Sequence, residues 1–210
     1  RGGGAFFIRR SFRGNALYTS VFKEYLFSIL SRNTPLEYFI EGGRSRTGRL
    51  LPPKTGMLAM TVHGHLRGRA KPIVFVPTYI GYERLMEGAT YVGEMNGKPK
   101  EAESVFGILQ TLRKIERIFG KVYVNFGEPV FLDDMLKQHG ADQITIENND
   151  APVPKELSNA VNSSANAILE NINRAVVINP VSLLSLILLA TPKHTLDEEV
   201  CIKQLDTYRN

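Results

Sequence analysis

The chain has 210 residues, 43% hydrophobic and 22% charged, with no low-complexity tract and no internal repeat, which excludes a disordered or repeat protein and suits one globular core with or without a helical appendage. Its single cysteine, Cys201, excludes an internal disulfide framework and a CxxC metal site and fits a reducing compartment. Net charge is +5 but unevenly spread: residues 1–71 carry 13 Lys and Arg against three acids (Glu24, Glu37, Glu41), and residues 72–210 carry 13 against 18. That asymmetry points to an anionic partner for the N-terminal third, with a merely solvated basic face as the alternative. The chain opens at Arg1 without an initiator methionine, so a fragment or processed product is expected.

Residues 5–9 (AFFIR) follow three glycines and are too short and aromatic for a helix, so a strand is expected. Asn15 caps a helix over residues 16–31, where Leu17, Val21, Tyr25 and Ile29, with Phe22, Leu26 and Leu30 on the adjoining stripe, recur at helical spacing and predict a face packed on a sheet. Residues 36–41 (LEYFIE) read as a second strand, 42–56 as a long basic loop and 57–66 as a short helix. Residues 72–80 (PIVFVPTYI) read as a third strand, apolar enough for burial on both faces. This order predicts an α/β fold with a mostly parallel central sheet flanked by helices, whose ligands sit beyond the carboxyl ends of strands, where Arg10, Glu41 and Gly42 fall.

A polar stretch (residues 94–103) leads to a helix over 104–119 and a strand over 121–126, closed by Gly127-Glu128-Pro129. From Pro154 onward the pattern is helical, with breaks at Pro180 and Pro192, and predicts a helical C-terminal cap. No stretch reaches the roughly 18 to 20 apolar residues that span a bilayer. Residues 181–190 (VSLLSLILLA) come nearest, as a buried core helix or a monotopic membrane-contacting one.

The chemistry concentrates in residues 39–56, FIEGGRSRTGRLLPPKTG. Glycines 42, 43, 48 and 56 let backbone amides approach a ligand, while Arg44, Arg46, Arg49 and Lys54 supply positive charge and Ser45 a hydroxyl. Arginine forks bind phosphate oxygens bidentately. Lys54-Thr55 resembles the end of a phosphate-binding P-loop, but Pro52 and Pro53 precede it, which excludes that motif. Glu41, at the end of an apolar strand, is costly to bury unless it pairs with Arg10, Arg44 or Arg46 or accepts hydrogen bonds from substrate hydroxyls. The expected ligand is a small phosphorylated polyol.

GAFFIRR (residues 4–10), FIEGGRSR (39–46) and IVFVPTYIGYE (73–83) resemble, in order and spacing, three of the four sequence blocks of the glycerolipid acyltransferases. They are most similar to the bacterial membrane-associated glycerol-3-phosphate acyltransferases, of which EGGRSRTGRLLPPKTG is particularly specific, and VNFGEP and the helical C-terminus extend the resemblance to nearly the whole chain. The resemblance implies an α/β acyltransferase domain over residues 1–130 and a mainly helical region over 131–210. It associates Arg10, Glu41, Gly42, Arg44, Ser45 and Arg46 with binding glycerol 3-phosphate, and the block around Val76 and Pro77 with catalysis and the acyl donor.

It also implies a His, four residues, then Asp, in which the His is general base on the acceptor hydroxyl. None of the four histidines fits: His63, His65, His139 and His194 are followed five residues on by Gly68, Ala70, Ile144 and Glu199. The family places that block before GAFFIRR, so the isolated chain is expected to be inactive, with structural roles for His63 and His65. Tyr79 and Tyr82 are candidates for a substrate pocket or for rim packing. The implied reaction moves a fatty acyl group from acyl-CoA or acyl carrier protein to the 1-hydroxyl of glycerol 3-phosphate, without metal or other cofactor. Dihydroxyacetone phosphate is the nearest alternative acceptor, and a non-catalytic module binding anionic membrane lipids is an alternative of another class. Nucleic acid is not an expected partner, because the arginines cluster in one loop and no binding motif is present. The implied location is the cytoplasmic face of a bacterial inner membrane, peripheral or monotopic.

Overall fold

The structure is a computed structural model that describes residues 4–9, 11–12, 14–43, 45, 49–68, 71–82, 121–146 and 153–209. The helix expected over 104–119 and the polar stretch before it lie outside the described residues. Two compact units emerge, one of residues 1–77 with 128–171 and one of 78–127 with 172–210.

In the first unit, helix α1 (Ala16–Ser31) starts where expected, with the Asn15 side chain accepting the Tyr18 amide at 3.0 Å. It packs on α2 (Gly56–Gly68) rather than on a sheet. The reason is local: Gly64 and Gly68, one turn apart on α2, leave room for α1, since a Cβ would lie 3.1 Å from Leu30 Cδ1 at the first and 2.9 Å from the Phe27 ring at the second. Arg67 lies over the Phe27 ring, 4.6 Å from its centroid, and pairs with Glu24. The two helices bury Phe22, Leu26, Leu58, Val62 and Leu66. Of the two stripes expected on α1, only the second reaches the core; Leu17, Val21 and Tyr25 are exposed.

The strand expected over 72–80 is two strands, β1 (Val74–Phe75) and β2 (Thr78–Tyr82), on either side of Val76-Pro77. Proline lacks the amide donor needed to continue a ladder, so one strand ends and a different pairing begins. Burial on both faces is likewise not found: Val74, Val76 and Ile80 are exposed. In the second unit β2 pairs with β3 (Val122–Phe126), with Thr78 opposite Phe126 and Tyr82 opposite Val122. In the first unit β1 pairs with β4 (Val130–Phe131), Val74 opposite Phe131. Both sheets are two-stranded and antiparallel, so the mostly parallel central sheet is corrected: among the described residues no parallel pair occurs.

The other expected strands also form no ladder. Residues 4–9 lie against α1 as an aromatic segment, Phe6 meeting Tyr25 edge-on at 5.3 Å and Phe22 at 6.1 Å between centroids. Residues 36–40 keep a strand's alternation, with Leu36, Tyr38 and Ile40 turned inward and Glu37 and Phe39 exposed, but without sheet pairing. Apolar patterning selects the inward face, whereas a sheet also requires a neighbouring backbone.

β4 runs directly into α3 (Leu132–Gln138), which buries Leu132 and Leu136. Helix α4 (Lys155–Arg174) buries Leu157, Ala160, Val161, Ser164, Ala165, Ile168 and Asn171, a stripe of threes and fours along one side. Its buried polar groups are satisfied: Ser164 Oγ donates to Ala160 O at 2.8 Å and Asn171 Nδ2 to Glu128 O at 2.8 Å.

Helix α5 (Pro180–Ala190) begins with proline and is capped by Asn179, which accepts the Ser182 amide at 2.8 Å. A 3₁₀ turn (Pro192–His194) and α6 (Glu198–Arg209) follow and pack with it. The helical C-terminus is thus present, but α5 is not a buried core helix: Ile187 is enclosed while Val181, Leu184, Leu186 and Leu189 are 41–71% exposed. No described helix is long and apolar enough to cross a membrane.

Candidate functional site

The basic loop begins at a buried anchor. Ile40 is 6% exposed, and its carbonyl accepts the Lys54 amide at 2.7 Å, while the carboxylate of the next residue, Glu41, accepts the Leu51 amide at 2.7 Å through Oε2. The chain then turns sharply, the Gly42 amide donating to Phe39 O at 3.1 Å. Gly42 has φ 62°, and a Cβ there would meet Lys54 Cγ at 2.8 Å. Both the conformation and the close approach require glycine. The two stems are therefore held together, as a neck, at residues 40–42 and 51–54.

Of the expected ligand-binding residues, Glu41 and Ser45 are half-buried and Gly42 is exposed at the neck. Arg49 and Lys54 are exposed. Arg10, Arg44 and Arg46 lie outside the described residues. The residue before Arg10 is tied to α1: the Arg9 amide donates to the Tyr18 hydroxyl at 3.1 Å, and its guanidinium stands 4.9 Å from the Tyr18 ring centroid. Pro77 is fully buried. The Tyr79 ring lies back over Gly81 of its own strand.

Sequence reasoning missed the neck, because a carboxylate bonded to an amide ten residues away leaves no periodic signal. It missed a second pairing as well. His65, buried on α2, has Nε2 3.2 Å from Oδ1 of Asp133 on α3, 68 residues on. The pair lies on a cleft of about 350 Å³ also lined by Lys71, Lys137, Asp142 and Gln143. Nearby, burial pushes the Tyr38 hydroxyl up to about 12, against the lowering effect of its hydrogen bond with Thr61, so it stays a neutral phenol near pH 7.

His63, also on α2, is held below the usual histidine value, chiefly by burial and then by Lys23 and Arg67. As pH falls through about 6.5, the unfolded chain takes up this proton before the folded one, so stability is lost. We expect hydrogen-exchange protection of the α2 amides, corrected for the intrinsic pH dependence of exchange, that falls between about pH 7.5 and about pH 5.5 by more in the wild type than in His63→Gln. Equal falls in the two proteins would remove this role.

Comparison with known proteins identifies the family. Residues 91–210 match the family described as the glycerol-3-phosphate acyltransferase C-terminal region, and residues 1–81 match the acyltransferase family. The chain belongs to the glycerol-3-phosphate acyltransferase family. It is 49% identical over 208 residues to the glycerol-3-phosphate acyltransferases of Pseudomonas fluorescens (strain Pf-5) and Pseudomonas aeruginosa (strain PAO1), covering 99% of this chain and 25% of each relative. The Xanthomonas campestris pv. campestris enzyme of the same name is 49% identical over 212 residues, 98% of this chain and 23% of that protein. The chain thus spans about a quarter of the length of the curated relatives it matches. The clasped basic loop lies within the part matched by the acyltransferase family.

Proposed function

We propose that this chain contributes the acceptor-binding part of an enzyme that transfers a fatty acyl group from acyl-CoA or acyl carrier protein to the 1-hydroxyl of glycerol 3-phosphate. The observation that carries the reading is the arginine-bearing loop of residues 42–54, clasped at Ile40 and Glu41 in a chain of this family. Arg10, Arg44 and Arg46 hold the phosphate, Gly42 and Ser45 shape the cradle, and the segment at Pro77 supports the acyl-donor side.

In this reading, residues 1–130 form the acyltransferase domain and 131–210 its mainly helical companion. No histidine here has the His-x4-Asp spacing, so the proposal takes the base from the remainder of the complete protein. There it removes the hydroxyl proton as the oxygen attacks the thioester carbonyl; the C–O bond forms, the C–S bond breaks and the thiol leaves. Holding both substrates in reach supplies much of the acceleration without a metal or an acyl-enzyme. The exposed leucines of α5 favour contact with membrane lipid, in keeping with a lipid product at the cytoplasmic face of a bacterial inner membrane.

The test is steady-state acyl transfer by the complete protein with glycerol 3-phosphate and dihydroxyacetone phosphate as competing acceptors. We expect preference for glycerol 3-phosphate, and an Arg46→Ala variant whose acceptor KM rises by about ten- to a hundredfold, the loss of one charge-assisted hydrogen-bond pair. Unchanged acceptor KM in that variant, or preference for dihydroxyacetone phosphate, would overturn the assignment.

A further inference from the structure

Pro52 and Pro53 exclude a P-loop but have no place in the reading so far. In the stretch Leu51-Pro52-Pro53-Lys54 the prolines have no amide hydrogen, so the second stem of the loop offers two backbone donors only, at Leu51 and Lys54. Both are used on the first stem: the Lys54 amide by Ile40 O and the Leu51 amide by the Glu41 carboxylate, each at 2.7 Å. The match is complete, two donors on one side and two acceptors on the other, with the stiff proline pair between them. Ile40, buried in the core, fixes the first stem.

From this geometry we propose that Glu41 is a positioning residue: it closes the neck of the arginine loop through the Leu51 amide, and acts on the acceptor only by holding the loop that binds it. An ionised acceptor on a backbone amide is among the stronger hydrogen bonds, and here it joins residues ten apart. Closing the neck reduces the loop-closure entropy that remains to be lost when a loop is ordered around a phosphate. Without the Glu41 bond, the Ile40–Lys54 bond remains between residues 40–41 and 51–54. The inference rests on the acceptor-site reading for its functional meaning, but the neck itself does not.

The experiment uses the complete protein with Glu41→Ala and Glu41→Gln. Alanine removes the acceptor oxygen; glutamine keeps a neutral one in the same place. Hydrogen exchange at the Leu51 amide and KM for both substrates are measured. In Glu41→Ala we expect loss of protection at Leu51 and an acceptor KM raised about tenfold, with acyl-donor KM within about twofold of wild type. Glu41→Gln should restore protection and recover most of the lost acceptor affinity. If Glu41→Gln is as impaired as Glu41→Ala while its Leu51 amide stays protected, the carboxylate acts directly on substrate and the proposal fails. Wild-type protection at Leu51 in Glu41→Ala would also overturn it. Absence of glycerol 3-phosphate acylation by the wild-type protein would remove the functional reading alone, because the exchange comparison still decides the neck.

Discussion

Leu26→Ala is expected to destabilise the α1–α2 pair by about 3 kcal/mol, whereas Leu17→Ala on the same helix should change it by less than about 0.5 kcal/mol. Both remove the same atoms from the same helix; only the surroundings differ. Leu26 is 0% exposed and Leu17 77% exposed. Truncating Leu26 loses its transfer free energy and leaves a cavity in the α1–α2 core. At Leu17 little burial is lost, and alanine is the better helix former. Hydrogen exchange of α1 and α2 amides, rather than a whole-chain melting curve, is the suitable measurement because the chain holds two units. Similar losses at the two positions would mean that the first stripe also reaches a core.

That contrast also marks where the sequence was legible. Helix α1 was readable to its cap, since Asn15 and the threes and fours after it depend on local chemistry alone. Its buried side was not, because apolar residues occupy two adjoining stripes and the choice between them lies in α2, where two glycines make a surface that α1 can approach. Strand residues at 122–126 were found for the same local reason, while the sheet they join was not. Parallel pairing was inferred from element order, a tendency of α/β proteins. In the structure, Pro77 separates β1 from β2, and each finds an antiparallel partner from residues 122–131, far along the chain.

The candidate site divides along the same line. That residues 39–56 suit an anion is an expectation legible in composition, from the glycines and arginines gathered there. How the loop is held is not, because the charge of Glu41 directs attention to arginines or substrate hydroxyls, whereas the bond seen among the described residues comes from the backbone amide of Leu51. Charge patterns in a sequence advertise ion pairs; they are silent about backbone donors, which every residue but proline carries. The signal that was present lay in Pro52 and Pro53, whose missing amides leave Leu51 and Lys54 as the only donors of that stem.

Gly42→Ala should loosen the same neck from its other side, lowering protection of the Lys54 amide by roughly ten- to a hundredfold, while Gly43→Ala should leave it unchanged. The two glycines are adjacent and, by composition, equivalent. At Gly42 the backbone is left-handed, φ 62°, which costs an L-residue about 1–2 kcal/mol, and the new Cβ would lie 2.8 Å from Lys54 Cγ and 3.2 Å from its Cβ. Those atoms sit at the root of the side chain, so relief requires the second stem to move and the Ile40–Lys54 bond to stretch. At Gly43 a Cβ meets nothing within 4 Å. Gly42→Asn separates the two causes, because asparagine tolerates the left-handed conformation but still places a Cβ against Lys54. If φ dominates, the asparagine variant recovers most of the protection; if the contact dominates, it recovers little. Wild-type protection at Lys54 in Gly42→Ala would show that neither constraint operates and that the loop closes in another way.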